Sequence, residues 1–205
     1  MAALLGFAPF IVFALVEKLQ GVLPALACGA LASVLLMARE RLRGARQINI
    51  LEAGSALMFT ALTGLALVRG AAAWSIWSVR LWVDGGLLLI VAFSMAIRRP
   101  FTLQHARHGV SAEVARGARF LHTNQVISGA WALAFLVLVA ADLLMVLRPD
   151  APSWVAVGLS LGALAAAAGF TRCHAAAVSA RAAGARRGVG YERCAPVDRP
   201  PFAGT

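Results

Sequence analysis

The chain has 205 residues, 60% of them hydrophobic and 14% charged, with a mean hydropathy of +0.78 and a formal net charge of +10. Soluble domains hold nearer half apolar and a quarter charged residues, so this composition excludes an ordinary soluble fold and points to a chain that crosses a bilayer several times. An outer-membrane barrel is excluded as well, because its strands alternate in polarity whereas the apolar runs here are continuous.

Six such runs follow one another, over residues 2–16, 19–38, 49–69, 80–97, 124–147 and 153–172. Most approach the ~20 residues that a helix needs to cross hydrocarbon. The expected fold class is all-α: a polytopic membrane protein, a six-transmembrane-helix bundle with a short interfacial amphipathic segment between helices 4 and 5. The first run is short enough to pass for the apolar part of a secretion signal. It lacks a basic segment ahead of it, and Glu17-Lys18 stand where small residues would mark a cleavage site, so it reads as retained.

Three connections are short: Glu17-Lys18, residues 71–78, and Arg148-Pro149-Asp150-Ala151-Pro152. Trp74, Trp77, Trp82 and Trp154 gather around the second and third, as indoles do at the headgroup level.

The other connections carry the charge. Arg39, Arg41, Arg43 and Arg46 follow span two; Arg98, Arg99, Arg107, Arg116 and Arg119 follow span four; Arg172, Arg181, Arg186, Arg187, Arg193 and Arg199 follow span six. The opposite side holds only Lys18, Arg69, Arg80 and Arg148. By the positive-inside rule both termini and the Arg-rich loops face the cytoplasm. The basic residues lack the interleaved aromatics of a nucleic-acid site, so their expected partner is the bilayer itself, through anionic headgroups worth roughly 1 kcal/mol per basic residue.

The longest connector, residues 98–123, opens with Arg98-Arg99-Pro100-Phe101-Thr102-Leu103-Gln104. Arg98 and Arg99 read as topology determinants, Pro100 as a helix stop, and Phe101 to Gln104 as an interfacial signature. Further on, Val110, Val114, Ala118 and Leu121 recur at helical spacing behind a Ser111 cap, the pattern of a helix lying in the interface. The candidate surface for a membrane-protein partner or lipid is Arg98, Arg99, Phe101, Gln104, Arg107, Arg116 and Arg119. Residues 175–205, rich in Ala, Arg, Gly and Pro, read as a basic disordered tail.

Ionisable residues inside a bilayer are expensive and therefore the natural functional candidates. Glu52, Asp84 and Asp142 qualify, each near a span end. Asp142 shares a helical face with Asn124, Ser128 and Trp131, at offsets close to whole turns. Glu52, Asn124, Ser128 and Asp142 form a candidate polar stripe, which serves either a path through the membrane or interhelical hydrogen bonding at helix ends; a pairing of Glu52 with Arg98 is compatible with both. In the last span, Gly158-Leu-Ser-Leu-Gly162 and the alanines up to Gly169 make a smooth face for close helix packing.

Catalysis is not expected. Cys28, Cys173 and Cys194 form no disulfide framework, His105 and His108 are too weak a pair to call for metal or haem, and no phosphate loop, catalytic triad or metalloprotease motif occurs. No cofactor and no metal follow from these residues.

The order of elements, together with certain motifs, resembles the intracellular septation protein A family, also called inner membrane-spanning protein YciB. Leu5-Gly-Phe-Ala-Pro9-Phe-Ile-Val-Phe13 with Lys18 is similar to that family's opening, Arg99-Pro100 to its exit from span four, and Asn124 with Gly129-Ala-Trp131-Ala to the start of its fifth span. The likeness covers roughly residues 4–172; the outer loop at 71–78 and the segments 101–107 and 120–124 depart from it as a divergent subgroup would. What the resemblance implies is a non-enzymatic inner-membrane protein of cell-envelope maintenance and septation that acts through protein or lipid contacts. Two alternatives come from the residues: a small transporter or channel with a polar path near Asp142, and an accessory subunit of a larger membrane complex.

Overall fold

A computed structural model describes residues 6–42, 49–70, 74–97, 100–102 and 117–193. Within them lie six helices: α1 (Ala8–Gln20), α2 (Val22–Leu42), α3 (Ile50–Arg69), α4 (Ile76–Ala96), α5 (Ala118–Leu147) and α6 (Ser153–Arg193). No strand occurs among the described residues. Helices α2 to α5, and α6 over Ser153–Val178, are each long and apolar enough to cross a membrane. Helix α1 is not: its 13 residues rise only about 20 Å, against ~30 Å of hydrocarbon.

Local sequence explains most of the boundaries. Pro9 sits in the first turn of α1, where its missing N–H costs nothing. Gly21, the single residue between α1 and α2, has φ +89°, a left-handed conformation that lets the chain reverse without a loop. Ser75 caps α4 by accepting from the Ser78 N–H at 3.1 Å.

Each helix packs on the next in sequence, so Gly21, residues 148–152 and the facing ends of α3 and α4 lie at one end of the bundle, called here the turn end. The short α1 is the helix that ties the others together. Its Phe10 and Phe13 rings pack on Phe59 of α3 at 5.2 and 5.8 Å, and Phe7 stacks on Trp131 of α5 at 5.2 Å. Its opposite face, Ile11, Leu15 and Leu19, is more than half exposed, as a lipid-facing stripe at i, i+4, i+8 would be.

Two expectations change. The interfacial segment between helices 4 and 5 falls on residues of which only the last part is described; there, from Ala118 onward, the chain is already α5, so Phe120, Leu121 and His122 extend the fifth span rather than forming a separate helix. The basic tail expected from residue 175 is helical as far as Arg193, continuous with α6. Its Ala- and Arg-rich composition explains this, since both residues rank at the top of helix propensity and disorder requires more than a lack of apolar periodicity. The remainder of the expected tail, 194–205, lies outside the described residues.

Candidate functional site

Both ends of the bundle hold buried polar side chains, and they are different in kind. At the end opposite the turns the groups are neutral or locally satisfied. Glu52, 6% exposed, accepts at 2.8 Å from Nδ2 of Asn49, the residue just ahead of α3. The short stretch after α4 folds inward: Pro100 is fully buried and Phe101 is 3% exposed. Phe101 donates its backbone N–H to Ser94 Oγ at 3.3 Å. Thr102 Oγ1 lies 2.9 Å from Ser128 Oγ and donates to the Asn124 carbonyl at 3.0 Å, while Asn124 Nδ2 donates to the Phe120 carbonyl at 2.9 Å. The Phe101 ring meets Phe7 edge-on at 6.0 Å. Residues 100–102 thus act as a plug seated between α1, α4 and α5.

Above this plug the interior is aromatic and aliphatic. Phe7, Trp131 and Phe135 pack mutually at 5.2 to 5.9 Å, with Leu87, Val91 and Leu138 completing the layer. Trp131 also donates its Nε1–H to Thr171 Oγ1 at 3.1 Å, binding α5 to α6.

The turn end is ionic. Glu17 from α1, Arg80 and Asp84 from α4, and Asp142 from α5 converge there. Arg80 Nε stands 3.6 Å from Glu17 Oε2, and the guanidinium lies over the Trp77 ring at 5.6 Å. Asp84 and Asp142 lie close enough to act on one another, and Arg80 close enough to act on both. Asp142 is 3% exposed, and its Oδ2 is the one buried side-chain oxygen or nitrogen without a hydrogen-bond partner among the described residues. A polar atom in that condition costs about 1–3 kcal/mol, so it marks either strain or a site awaiting a donor.

The chain matches no family model, no curated protein and no solved structure. The site therefore rests on its own geometry.

The expected polar stripe is divided. Asn124 and Ser128 are joined through Thr102, Glu52 lies at that same end on α3, and Asp142 sits 14 residues along α5 from Ser128, about 21 Å away. Between them stand Trp131, Phe135 and Leu138. The placement fits interhelical and helix-end hydrogen bonding for Glu52, Asn124 and Ser128, and something else for Asp142. Of the candidate contact residues, Phe101 is core rather than surface. Arg119 lies on α5, and Arg98, Arg99, Gln104, Arg107 and Arg116 lie outside the described residues, so the Glu52 to Arg98 pairing does too.

Sequence reading did not bring Glu17 and Arg80 to Asp142. A signal existed: Arg80 and Asp84 stand four apart on one helical face, and Glu17 continues the buried face of Phe10 and Phe13. Among the described residues no group of three or more His, Cys, Asp or Glu is placed to hold a metal ion.

Proposed function

We propose that this is a non-enzymatic membrane protein of the bacterial inner membrane that works in cell-envelope maintenance and septation through contacts with membrane proteins and anionic lipid. On this reading α1 counts as the sixth membrane segment and the Arg-rich connections face the cytoplasm. The observation that carries it is the state of α6. In its membrane window only 11% of residues are buried, against 22–39% in the other four spans. Its small-residue face does not pack within the chain as tightly as its composition allows: a Cβ added at Gly158, Gly162 or Gly169 would meet nothing within 4 Å. Membrane helices associate through such faces, because lipid gives no hydrophobic drive and close backbone approach must supply the attraction.

Removal of the gene from its host tests the reading. Elongated or misdivided cells, or increased permeability to large antibiotics, are the expected result, restored by the wild-type chain and less well by Gly162→Leu at equal membrane abundance. Unaltered division and permeability under envelope stress would sink it.

A transporter or channel is the second reading, favoured by the buried ionic cluster around Asp142. The aromatic layer of Phe7, Trp131 and Phe135 closes the interior between the two polar ends, so transport would require that layer to part. Solute or ion flux into vesicles that is abolished by Asp142→Asn would favour this reading over the first.

A further inference from the structure

We propose that the facing carboxyls of Asp84 and Asp142 form a single proton-binding site at the turn end of the bundle, bordered by the Glu17–Arg80 ion pair. The site goes beyond the contact role proposed above and stands without it.

Three observations converge on a proton. The first is the pairing itself: two carboxyls from different helices lie within reach of one another, and neither can donate to the other unless one carries a hydrogen. The second is the orphaned Oδ2 of Asp142, an acceptor in a side chain 97% removed from solvent by virtue of its 3% exposure. The third is the charge in the neighbourhood. Glu17, Asp84 and Asp142 face one guanidinium, Arg80, and the remaining cation in range, Lys18, is exposed. Arg80 is already engaged by Glu17 and by the Trp77 ring. One proton shared by the aspartates supplies the missing donor and reduces the excess of negative charge in a single step.

Other small cations fit less well. Alkali and divalent ions need several oxygens converging on one point, and no acidic group of that geometry occurs among the described residues. The chemistry is simple and balanced. A carboxylate lone pair takes up one proton from water to form an O–H bond, which is directed at the partner carboxylate; release reverses the step without redox change or leaving group. Arg80, 28% exposed along its side chain, is the part of the cluster that reaches toward the aqueous edge, and so lies on the proton's way in.

Infrared difference spectroscopy of the full chain in lipid nanodiscs, across a pH series in water and in deuterium oxide, tests the site. The expected signal is a protonated-carboxyl C=O stretch that shifts in deuterium oxide, titrates with one proton per chain, and moves when the protein carries carbon-13 aspartate. It should vanish in Asp84→Asn and equally in Asp142→Asn, and persist in Glu17→Gln. Absence of an isotope-sensitive band in the wild type, its survival in both aspartate variants, or its loss in Glu17→Gln alone would overturn the proposal. With Asp150→Asn and Asp198→Asn in place the carbon-13 label rests on Asp84 and Asp142 alone, so it answers the question even if a variant at either of those two does not fold.

Discussion

Arg80 Nε lies 3.6 Å from Glu17 Oε2, linking the end of α1 to the start of α4 across the turn end of the bundle. The Glu17 side chain is 4% exposed and Arg80 28%, so the carboxylate depends on the guanidinium far more than the reverse. A buried charge stripped of its partner is the costly outcome, whereas removing both partners is often close to neutral.

Arg80→Met should therefore destabilise the protein by about 3 kcal/mol, the low end for breaking a buried pair because Arg80 keeps some solvent. Glu17→Gln in the same background should recover part of the loss. Thermal or SDS-driven unfolding of the four members of the cycle measures the coupling, expected at roughly 0.5–3 kcal/mol. Additive losses would mean that the two side chains do not interact.

Phe101→Ala should cost about 3–5 kcal/mol, because it empties a buried aromatic site against Phe7 and Ser94 rather than trimming a surface contact. A surface role gives a contrary expectation, a change within about 0.5 kcal/mol. Unfolding midpoints in one detergent separate the two. Phe101→Cys should also react slowly with a soluble maleimide compared with Leu42→Cys, whose position is 90% exposed.

How far the fold was legible follows from which signals are local. The apolar runs that became α2 to α6 announce themselves through length, since the hydrocarbon thickness imposes it. The inward fold of residues 100–102 does not. A Pro-Phe-Thr stretch after two arginines has the composition of a loop, and its burial depends on Ser94, Asn124, Ser128 and Phe7, partners drawn from three other segments. Asp142 stood out as an ionisable residue in a span, yet its partners Glu17 and Arg80 flank turns, where charges are ordinary. The spacing of Arg80 and Asp84 and the place of Glu17 on the buried face of α1 hint at a cluster, but a single sequence does not say which helices meet. The division of the polar stripe was equally hidden, because a helical wheel reports the face a residue occupies but not what fills the 21 Å or so between two of them.

Gly29→Leu should destabilise the α2–α3 contact by about 1–3 kcal/mol, as overpacking does. Even a Cβ there would come within 2.9 Å of the Phe59 ring, which Phe10 and Phe13 hold from the other side. Gly64→Leu is the control: it lies on the next helix with nothing within 4 Å of an added Cβ, and should leave the unfolding midpoint nearly unchanged.

The charge distribution leads to an orientation that labelling can check. Cys173 is exposed on α6 beside Arg172, near the end of the apolar stretch that lies toward the Arg-rich connections, while Asp150 is exposed in the turn between α5 and α6 at the other end. In a Cys194→Ser background, an impermeant maleimide should leave Cys173 unmodified in intact cells with a permeabilised outer membrane and modify it in inverted vesicles. Asp150→Cys, with Cys173 also replaced by Ser, should show the reverse. The asymmetry has a physical basis, since arginines are retained on the cytoplasmic side during insertion and short connections cross with few of them. The opposite labelling pattern would invert the bundle and place the Glu17, Arg80, Asp84 and Asp142 cluster toward the cytoplasm.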